Sequence, residues 1–441
     1  MEQRLRQLAF QGIERWFREA LRAVDPAESV RRTLRGSTQA IFVDDEAVPA
    51  RGRVMVVGVG KAALAMVEGA RQALGPLVSE SFVLTKDGHA ELRPEGVTVR
   101  EAAHPIPDQR GVDATTELMA RLSGLGPEDM VVALISGGGS ALLEAPLPPV
   151  TLAEMAGTTD LLLRAGAPIQ DLNRVRRALS RVKAGGLRRA APEARFVTLL
   201  LSDVLGDDVR TIASGPTIGD RPDRAGARAA LDQYGLRDRV PPAVLAALSV
   251  EIAAAGAIDT EADVVRVVAN NGSAIEAAAR AAVGDGLTVE TPWRRREGEA
   301  ADLARAWVGE CLASLPEIDA LVGGGEATVT VRGSGRGGRN TEFALAAALA
   351  LEAADDDDWV VASLATDGQD ALTGVAGAIV DAETARSARV LGLDPEGALA
   401  DNDSLRVLEA TGGLVVTGPT GTNVNDLYFA VRRSAIGHLS N

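Results

Sequence analysis

The stretch Arg53–Leu74, RVMVVGVGKAALAMVEGARQAL, is the segment from which the fold is predicted. It begins with the β-branched and apolar run VMVV, turns at Gly58 and Gly60, and continues into a stretch rich in alanine. A buried strand, a glycine turn and a helix in this order are typical of a βαβ unit. The segment therefore predicts a strand at VMVV and a helix that starts in the glycine loop.

The same order of strand, turn and helix recurs along the chain. It returns in DMVVALISGGGSALL (129–143) and in VVRVVANNGSAIEAAARAA (264–282), and further strand candidates lie at 318–331 and 359–368. Apolar strands that alternate with helices favour mostly parallel sheets covered by helices on both faces. The predicted class is α/β, with one such sheet in each of two domains.

A proline pair and little strand character mark the segment 238–260 as a domain boundary. At about 100–200 residues per domain, a chain of 441 residues suggests two or three domains. We expect an N-terminal, Rossmann-like domain over residues 1–250 and a C-terminal α/β domain over residues 258–441.

The composition disfavours several classes of function. A net charge of −15 and an aromatic content of 3% argue against nucleic acid or an anionic membrane as a partner, and no apolar run approaches a transmembrane length. Three histidines and one cysteine, Cys311, are too few for a Cys/His zinc site or an internal disulfide. The N-terminus has no signal-peptide core, so the expected location is the cytoplasm.

The first glycine loop carries one of only three lysines in a chain that otherwise uses arginine for its cations. The loop Gly58-Val59-Gly60-Lys61-Ala62-Ala63 matches G-x-G-x-x-A, the looser dinucleotide-binding turn, and does not match a Walker A loop. The exposed amides and the dipole of a helix N-terminus favour an anion, and a lysine there favours a highly charged phosphate. The alternative is a tight βα turn with a solvated lysine.

A second glycine loop, Ser136-Gly137-Gly138-Gly139-Ser140, follows the apolar run VVALI. Three adjacent glycines allow backbone N–H groups to fold around an anion, and the two flanking hydroxyls add donors. We therefore expect this loop to bind phosphate or another anion.

A third glycine run, Gly323-Gly324-Gly325, is expected to end a strand and to lead into a hairpin at ATVTV. Arg339 and Asn340 follow in GSGRGGRNTEFAL, where the glycines let the backbone approach a ligand. An arginine at the start of a helix can bind a carboxylate or a phosphate through two parallel hydrogen bonds. An ordinary flexible hairpin is the alternative.

Carboxylates and amides also follow predicted strands. Asp203, Asp207 and Asp208 come after FVTLLL and are candidate Mg²⁺ ligands. Asp367 follows another strand, and Asn425 lies in the polar loop TGPTGTNVND. Each of these residues could serve a turn alone. A ligand site is favoured because such loops follow at least five predicted strands, and α/β sheets bind ligands at the carboxyl ends of their strands.

With these motifs in order, the chain resembles the glycerate 2-kinases, whose C-terminal half is called the MOFRL domain. The resemblance spans about residues 5–430. Nine motifs carry it: GVGKAA, LTKDGH, AAHPIPDQRG, ISGGGSALL, DLNRVRRALSRVKAGGL, LSDVLGDD with IASGPT, GGGEATV with GGRNTEFAL, TDGQDALTGVAGAIVD and TGPTGTNVNDL.

The resemblance implies two α/β domains with the active site in the cleft between them. It implies transfer of the γ-phosphoryl group of ATP to the 2-hydroxyl of D-glycerate, which gives 2-phosphoglycerate, with a divalent cation. The family's essential basic pair falls on Lys61 and Arg339. One departure is Ala371 in TDGQDALTG, where the family usually has a second glycine.

Roles for other residues are hypotheses that rest on this resemblance. Asp203, with Asp207 or Asp208, would hold Mg²⁺ or orient the attacking hydroxyl, and the Ser136–Ser140 loop would hold substrate or phosphate oxygens. Lys183 or Arg177 would bind the glycerate carboxylate. Asn340, Asp367 and Asn425 complete the candidate substrate-binding set.

Two alternatives to the kinase stay open. Some relatives have been labelled hydroxypyruvate reductases, and the G-x-G-x-x-A match is compatible with an enzyme that uses NAD(P)H. A non-catalytic module that senses a phosphosugar or a nucleotide is the second alternative. The expected partners are ATP and D-glycerate, with no nucleic acid and no membrane, and a homodimer stays open.

Overall fold

The structure is a computed structural model that describes residues 2–90, 93–250 and 260–438. The chain divides into two compact units. Pro26–Val268 form the N-terminal unit, and Ala269–Asn441 together with Met1–Asp25 form the C-terminal unit. Among the described residues, no helix is long and apolar enough to cross a membrane.

After the first helix, α1 (Glu2–Ala23), the chain enters the N-terminal unit. The strands of this unit are β1 (Leu34–Gly36), β2 (Ala40–Val43), β3 (Glu46–Pro49), β4 (Val54–Val59), β5 (Val78–Lys86), β6 (Val97–Ala102), β7 (Met130–Ile135), β8 (Arg195–Leu201) and β9 (Val264–Ala269). Its helices are α2 (Pro26–Thr33), α3 (Ala63–Leu74), α4 (Gln109–Leu122), α5 (Gly139–Leu142), α6 (Leu152–Arg164), α7 (Ile169–Ala178), α8 (Gly186–Arg189), α9 (Arg224–Gln233) and α10 (Pro242–Ser249).

The main sheet of the N-terminal unit has the order β6-β5-β4-β7-β8-β9. The pairs β5–β6, β4–β5, β4–β7 and β7–β8 are all parallel. Every residue of β4 and β7 is buried, as expected for strands covered on both faces. The chain leaves β4 toward β5 on one side and returns to β7 on the other, so the loops after β4 and β7 meet at a topological switch point. The predicted parallel α/β fold is confirmed for this unit.

The C-terminal unit contains α1 and the elements that follow β9. Its strands are β10 (Val289–Glu290), β11 (Arg296–Glu299), β12 (Ala320–Thr328), β13 (Trp359–Ala365), β14 (Val375–Val380), β15 (Leu414–Val416) and β16 (Asp426–Arg432). Its further helices are α11 (Asn271–Gly284), α12 (Ala300–Ala313), α13 (Arg339–Ala353), α14 (Ala382–Val390), α15 (Pro395–Ala400), α16 (Ser404–Thr411) and α17 (Arg433–His438).

The sheet of the C-terminal unit is mixed, which corrects the prediction of a mostly parallel sheet. β16 pairs antiparallel with β12 and β13, and β14 pairs antiparallel with β13 and β15. β10 and β11 run parallel to β12. β13 and β14 are joined by the short loop 366–374, and antiparallel neighbours need no helical crossover. A uniformly apolar strand indicates that both of its faces are buried. Burial alone does not show whether the strand runs parallel or antiparallel to its neighbours.

The helix α1 lies in the C-terminal unit, whereas the sequence predicted domains of 1–250 and 258–441. Trp16 and Phe17 are buried. Phe17 meets Phe429 edge to face with ring centroids 6.3 Å apart, and the indole N–H of Trp16 donates to Asp285 over 2.6 Å. The amphipathic pattern of α1 indicates that one face of the helix is buried, but it does not indicate which part of the chain covers that face. The expected boundary at 250–258 falls almost entirely outside the described residues.

The three glycines at 323–325 lie within the continuous strand β12, where the sequence predicted a loop and an ATVTV hairpin. A methyl group on Gly324 would collide with the side chain of Asn271, and one on Gly325 would collide with the backbone of Arg296. The glycines therefore permit close packing around β12, and the prediction of a ligand loop here is wrong.

Candidate functional site

The loops after β4 and β7 are bonded to each other at the switch point of the N-terminal unit. The backbone N–H of Lys61 donates to the carbonyl of Gly137 over 2.9 Å, and the N–H of Ala62 donates to Ser136 Oγ over 3.1 Å. Ser136 N–H donates in turn to the Val59 carbonyl over 2.9 Å. We call the side chain of Lys61 together with the loop Ser136–Ser140 the lysine site.

The lysine site contains hydrogen-bond donors that have no acceptor within the protein, and the backbone donors among them lie in the second glycine loop. Among the described residues, the backbone N–H groups of Gly137 and Gly138 donate to no protein acceptor, and neither does the ammonium group of Lys61. By contrast, the N–H groups of Lys61 and Ala62 are already used between the loops. The amides that a dinucleotide-binding turn presents to a pyrophosphate are therefore taken, whereas the second loop offers two amides to an anion.

Glycine is required at two of these positions by backbone conformation and by space. Gly60 has φ of +121° and Gly138 has φ of +84°, where other residues are strained. A methyl group on Gly60 would collide with Ser136, and one on Gly138 would lie 3.1 Å from Cγ of Lys61. The stem of Lys61 therefore passes over Gly138, and the charge of Lys61 acts on Asp203, which lies against Gly137.

The other predicted glycines of these loops serve close packing. A methyl group on Gly58 would lie 2.6 Å from the side chain of Val67 in α3, and one on Gly139 would lie 2.8 Å from Ala213. One on Gly137 would collide with the carboxylate of Asp203. The structure thus brings Gly137 and Asp203 together as predicted. Gly58 and Gly139 allow the loops to pack closely against Val67 and Ala213.

Asp203 and His104 carry the perturbed ionisable groups of the lysine site. Burial raises the pKa of the Asp203 carboxyl, and the charge of Lys61 opposes that shift. Burial, together with the charges of Lys61 and Lys86, lowers the pKa of His104 to about 4. The half-buried imidazole is therefore neutral at pH 7 and able to accept a hydrogen bond or a proton.

We expect this shift to be measurable in the ligand-free protein. An NMR titration of the three histidines, with His104 assigned from the variant His104→Gln, should show His104 titrating near 4 and not near the ordinary 6.5. The unfolded chain binds this proton at the higher pH, so the wild type should lose stability as the pH falls from 6.5 to 4, and His104→Gln should lose less. A midpoint for His104 near 6.5 would contradict the geometry.

The predicted metal set of Asp203, Asp207 and Asp208 is not assembled. Both carboxylate oxygens of Asp208 accept from the guanidinium of Arg210, at 3.1 and 3.3 Å. Across residues 2–90, 93–250 and 260–438, no group of three His, Cys, Asp or Glu side chains is placed to hold a metal ion. Mg²⁺ in kinases commonly takes one or two carboxylates and completes its shell with phosphate oxygens and water. Asp203 fits that requirement, because its carboxylate lies against Gly137 in the loop Ser136–Ser140, which we call the anion loop.

Lys183, predicted to bind the substrate carboxylate, is instead a buried structural residue. Its ammonium group donates to the carbonyls of Ser140 and Leu143 over 2.8 and 3.1 Å, and lies 2.9 Å from the Glu144 carboxylate. The other oxygen of Glu144 accepts from Ser180 Oγ over 2.6 Å. The three donors of Lys183 are thereby used within the protein, and they fix the end of the anion loop.

Replacing Lys183 should destabilise the N-terminal unit strongly. Lys183→Met leaves Glu144 buried without its cation, and breaking a buried pair in this way typically costs about 3–5 kcal/mol. Arg181→Met is the matched control: Arg181 is exposed two positions away, and we expect a change within about 0.5 kcal/mol. Urea denaturation measures both, and a loss below about 1 kcal/mol for Lys183→Met would contradict this assignment.

Arg339 begins α13, as predicted, and is held by Asp426, the last residue of the polar loop TGPTGTNVND. Its Nε donates to both carboxylate oxygens of Asp426, at 2.9 and 2.8 Å, and its Nη2 lies 2.8 Å from Asp426 Oδ1. Asp426 is fully buried and also accepts the backbone N–H of Ala327 over 3.2 Å. Burial opposes the charged form of Arg339, but the Asp426 carboxylate outweighs it and raises the pKa. Nη1 of Arg339 bonds no group among the described residues, so this face can bind an anion.

Asn340 is buried within the same network. Its Nδ2 donates to Asp426 over 2.9 Å, and its Oδ1 accepts from Ser363 Oγ over 2.6 Å. The backbone N–H groups of Asn340 and Thr341 donate to the Asp370 carboxylate over 2.8 and 2.9 Å. Asp370 therefore occupies the anion position at the N-terminus of α13, and the amide of Asn340 supports Asp426. The prediction of Asn340 as a ligand contact does not fit these bonds.

Asp367 and Asn425 lie on the two loops that flank this network. Asp367 accepts the N–H of Gln369 over 3.0 Å and contributes negative charge near Arg339. The carbonyl of Asn425 accepts from Thr366 Oγ1 over 2.7 Å, and its φ is +68°. We call Arg339, Asp426, Asp370 and Asp367 the arginine site. Ala371, the one departure from the family motif, is not among the residues with positive φ, so its loop does not need glycine there.

The polar loop TGPTGTNVND contains Asp426, but the loop alone does not indicate that this aspartate pairs with Arg339. This aspartate starts the apolar strand DLYFAV, and a carboxylate that enters a buried strand needs a cation or several donors. Asp370 gave a weaker signal, since a carboxylate near a glycine turn is also ordinary turn chemistry.

Comparison with known proteins bears on both units. Residues 12–249 match the family described as Domain of unknown function (DUF4147), and residues 319–426 match the MOFRL family. A relative from Agrobacterium vitis with the provisional name hydroxypyruvate reductase is 42% identical over 388 residues, which cover 86% of this chain and 86% of the relative. The D-glycerate 2-kinase of Thermotoga maritima is 37% identical over 413 residues, which cover 89% of this chain and 95% of the relative.

The fold matches as well. The crystal structure of a glycerate kinase from Thermotoga maritima aligns with a TM-score of 0.86 at 34% identity, over 98% of this chain and 100% of that one. Sequence and fold thus agree over both units, and the resemblance carried by the nine motifs is confirmed. The chain therefore belongs to the glycerate kinase family with a MOFRL domain.

Proposed function

We propose that this protein transfers the γ-phosphoryl group of ATP to the 2-hydroxyl of D-glycerate and so makes 2-phosphoglycerate. The observation that carries the proposal is the lysine site, where the side chain of Lys61 passes over Gly138. The Lys61 ammonium and the amides of Gly137 and Gly138 donate to no group among the described residues. Phosphoryl transfer requires mainly positioning and neutralisation of charge on the phosphate oxygens. Fixed donors with no protein partner meet that requirement.

Each basic residue has a distinct role in this proposal. Lys61 and the amides of Gly137 and Gly138 bind phosphate oxygens in the N-terminal unit. Arg339, oriented by Asp426 through Nε and Nη2, directs Nη1 to the phosphates. The two amides and Arg339 are held by their neighbours and need not reorganise during the reaction, and such preorganised donors stabilise the transition state.

Asp203 is the residue we propose for the divalent cation. When bound, Mg²⁺ would neutralise charge on the phosphate oxygens. Asp203 lies against Gly137, and its raised pKa reflects a buried carboxylate that a nearby cation would stabilise. Asp207 and Asp208 are not proposed as a joint set with it, since Asp208 is bound by Arg210. His104, neutral beside the same loop, is the proposed acceptor for the proton of the attacking hydroxyl.

A nicotinamide-dependent reductase that acts on hydroxypyruvate is the second candidate, because a relative from Agrobacterium vitis has the provisional name hydroxypyruvate reductase. The bonding of the first glycine loop favours the kinase. A dinucleotide-binding turn offers its amides to the pyrophosphate, and here the amides of Lys61 and Ala62 are bonded to the neighbouring loop.

Two parallel assays separate the candidates. ADP release is followed with D-glycerate, ATP and Mg²⁺, and NADH or NADPH oxidation is followed with hydroxypyruvate. We expect glycerate-dependent ADP release and no oxidation above background. Oxidation without ADP release would replace the kinase with the reductase, and the absence of both would leave the proposal without support.

A further inference from the structure

The helix α7 carries three arginines that differ in their partners. Arg174 pairs with Asp171, and Arg177 pairs with Asp220. Among the described residues, no carboxylate pairs with Arg176. Arg176 is partly buried, and a partly buried guanidinium without a carboxylate partner is a candidate for binding an anion.

Arg176 reaches the anion loop of the lysine site. Its Nη2 lies 3.4 Å from the carbonyl of Ser140, which is a long and weak hydrogen bond. Lys183 already donates to the same carbonyl over 2.8 Å, so Ser140 does not depend on Arg176. Nε and Nη1 of Arg176 bond no group of the described residues. Nη2 keeps a second N–H beyond this weak bond, and together with Nε or with Nη1 it forms a pair of parallel donors that can take a carboxylate near the loop.

The acceptor of the proposed reaction carries a carboxylate that needs a cation. Lys183 is excluded because its three donors are used within the protein, and Arg177 is excluded by its pair with Asp220. We infer that Arg176 binds the carboxylate of the acceptor, a small 2-hydroxy acid. Two parallel N–H donors of a guanidinium match the two oxygens of a carboxylate and fix its orientation as well as its charge. This inference rests on the proposed function and adds the residue that selects an acid over a neutral alcohol.

The first test is the kinetics of Arg176→Gln and Arg176→Lys. We expect the KM for D-glycerate to rise about 10- to 100-fold in Arg176→Gln, the range for losing a hydrogen bond to a charged group. The KM of Arg176→Lys for D-glycerate should lie between those of Arg176→Gln and the wild type, because lysine keeps the positive charge but lacks the two parallel N–H donors. The KM for ATP should stay within about twofold. Arg174→Gln is the matched control on the same helix, and we expect no change in either KM.

The second test compares D-glycerate with D-glyceramide, which lacks the charged carboxylate. Wild-type protein should prefer the acid, and Arg176→Gln should reduce that preference by the factor by which its KM rises. A change in the KM for ATP in place of D-glycerate would assign Arg176 to the phosphates and overturn the inference. An unchanged KM for D-glycerate in both variants would also overturn it.

Failure of the inference can be told from failure of the proposed function. If the wild type releases no ADP with D-glycerate, the proposed function fails before any variant is made. Calorimetric titration of D-glycerate into wild type and Arg176→Gln then still tests Arg176 without turnover. Weaker binding to the variant supports the inference, and equal binding or no binding to the wild type contradicts it.

Discussion

Lys61→Arg should lower kcat for ATP-dependent phosphorylation of D-glycerate by about 10²–10³-fold, the usual cost of removing one donor to the transition state. The stem of Lys61 runs over Gly138 with little free space, and its ammonium is a compact charge that a broad, planar guanidinium cannot replace. Lys61→Ala, which removes the charge as well, should lose about 10³-fold or more. KM for D-glycerate should change little if Lys61 acts mainly on the transferring phosphoryl group.

The matched control for Lys61 is Lys86→Arg. Lys86 ends β5 in the same unit and is one of the three lysines of the chain, so the control makes the same chemical change. The charge of Lys86 acts on His104, and arginine keeps that charge. We expect kcat within about threefold of wild type for the control. Both variants should keep the thermal transition of the wild type, since Lys61 makes no ion pair among the described residues. A Lys61→Arg protein with turnover near wild type would refute the special role of lysine here.

Arg339→Lys is expected to have the second largest effect, with a fall in kcat of about 10²–10³-fold. Arg339 is held through Nε and Nη2 by Asp426, which leaves Nη1 for the phosphates. The single ammonium group of a lysine cannot bind the Asp426 carboxylate and the phosphates at the same time in this way. Lysine is preferred to methionine as the replacement because it keeps a cation beside the buried Asp426, so stability should fall much less than when the charge is removed. Arg305→Lys in α12, an exposed arginine paired with Asp302, is the control and should keep full activity.

A double-mutant cycle identifies Asp426 as a positioning residue. Asp426→Asn removes the charge that orients Arg339 and should lower kcat by about 10–100-fold. If Asp426 acts through Arg339, the double variant should be no worse than Arg339→Lys alone. Additive losses would contradict this, since they would mean that Asp426 acts independently. Unfolding measurements on all three variants separate loss of orientation from loss of fold.

The parallel sheet of the N-terminal unit could be predicted from sequence because its signals are local. In β4 and β7 a short apolar run meets a glycine turn and then a helix, and each of these features has a physical cause within a few residues. The direction of the strands in the C-terminal sheet depends on how β16, late in the chain, inserts between β12 and β13. Such a long-range pairing leaves no mark on the hydrophobic pattern, so the mixed sheet was missed.

The candidate site could likewise be predicted only where its signals are local in the sequence. The anion loop and Lys61 could be predicted because glycine spacing and residue type carry the chemistry. The residue types of Lys183 and Asn340 suit a ligand contact, but in the structure Lys183 holds the anion loop and Asn340 holds Asp426. Which polar residue faces a ligand and which faces the protein depends on contacts between distant segments. The sequence alone does not contain those distances.

The position of the new phosphate on the product tests the central claim most directly. The protein is incubated with ATP, Mg²⁺ and D-glycerate, and the product is analysed by ¹H–³¹P correlation NMR. The account predicts a phosphorus nucleus coupled to the single proton on carbon 2, which identifies 2-phosphoglycerate. Coupling to the two protons on carbon 3, or the absence of a phosphorylated product, would contradict it.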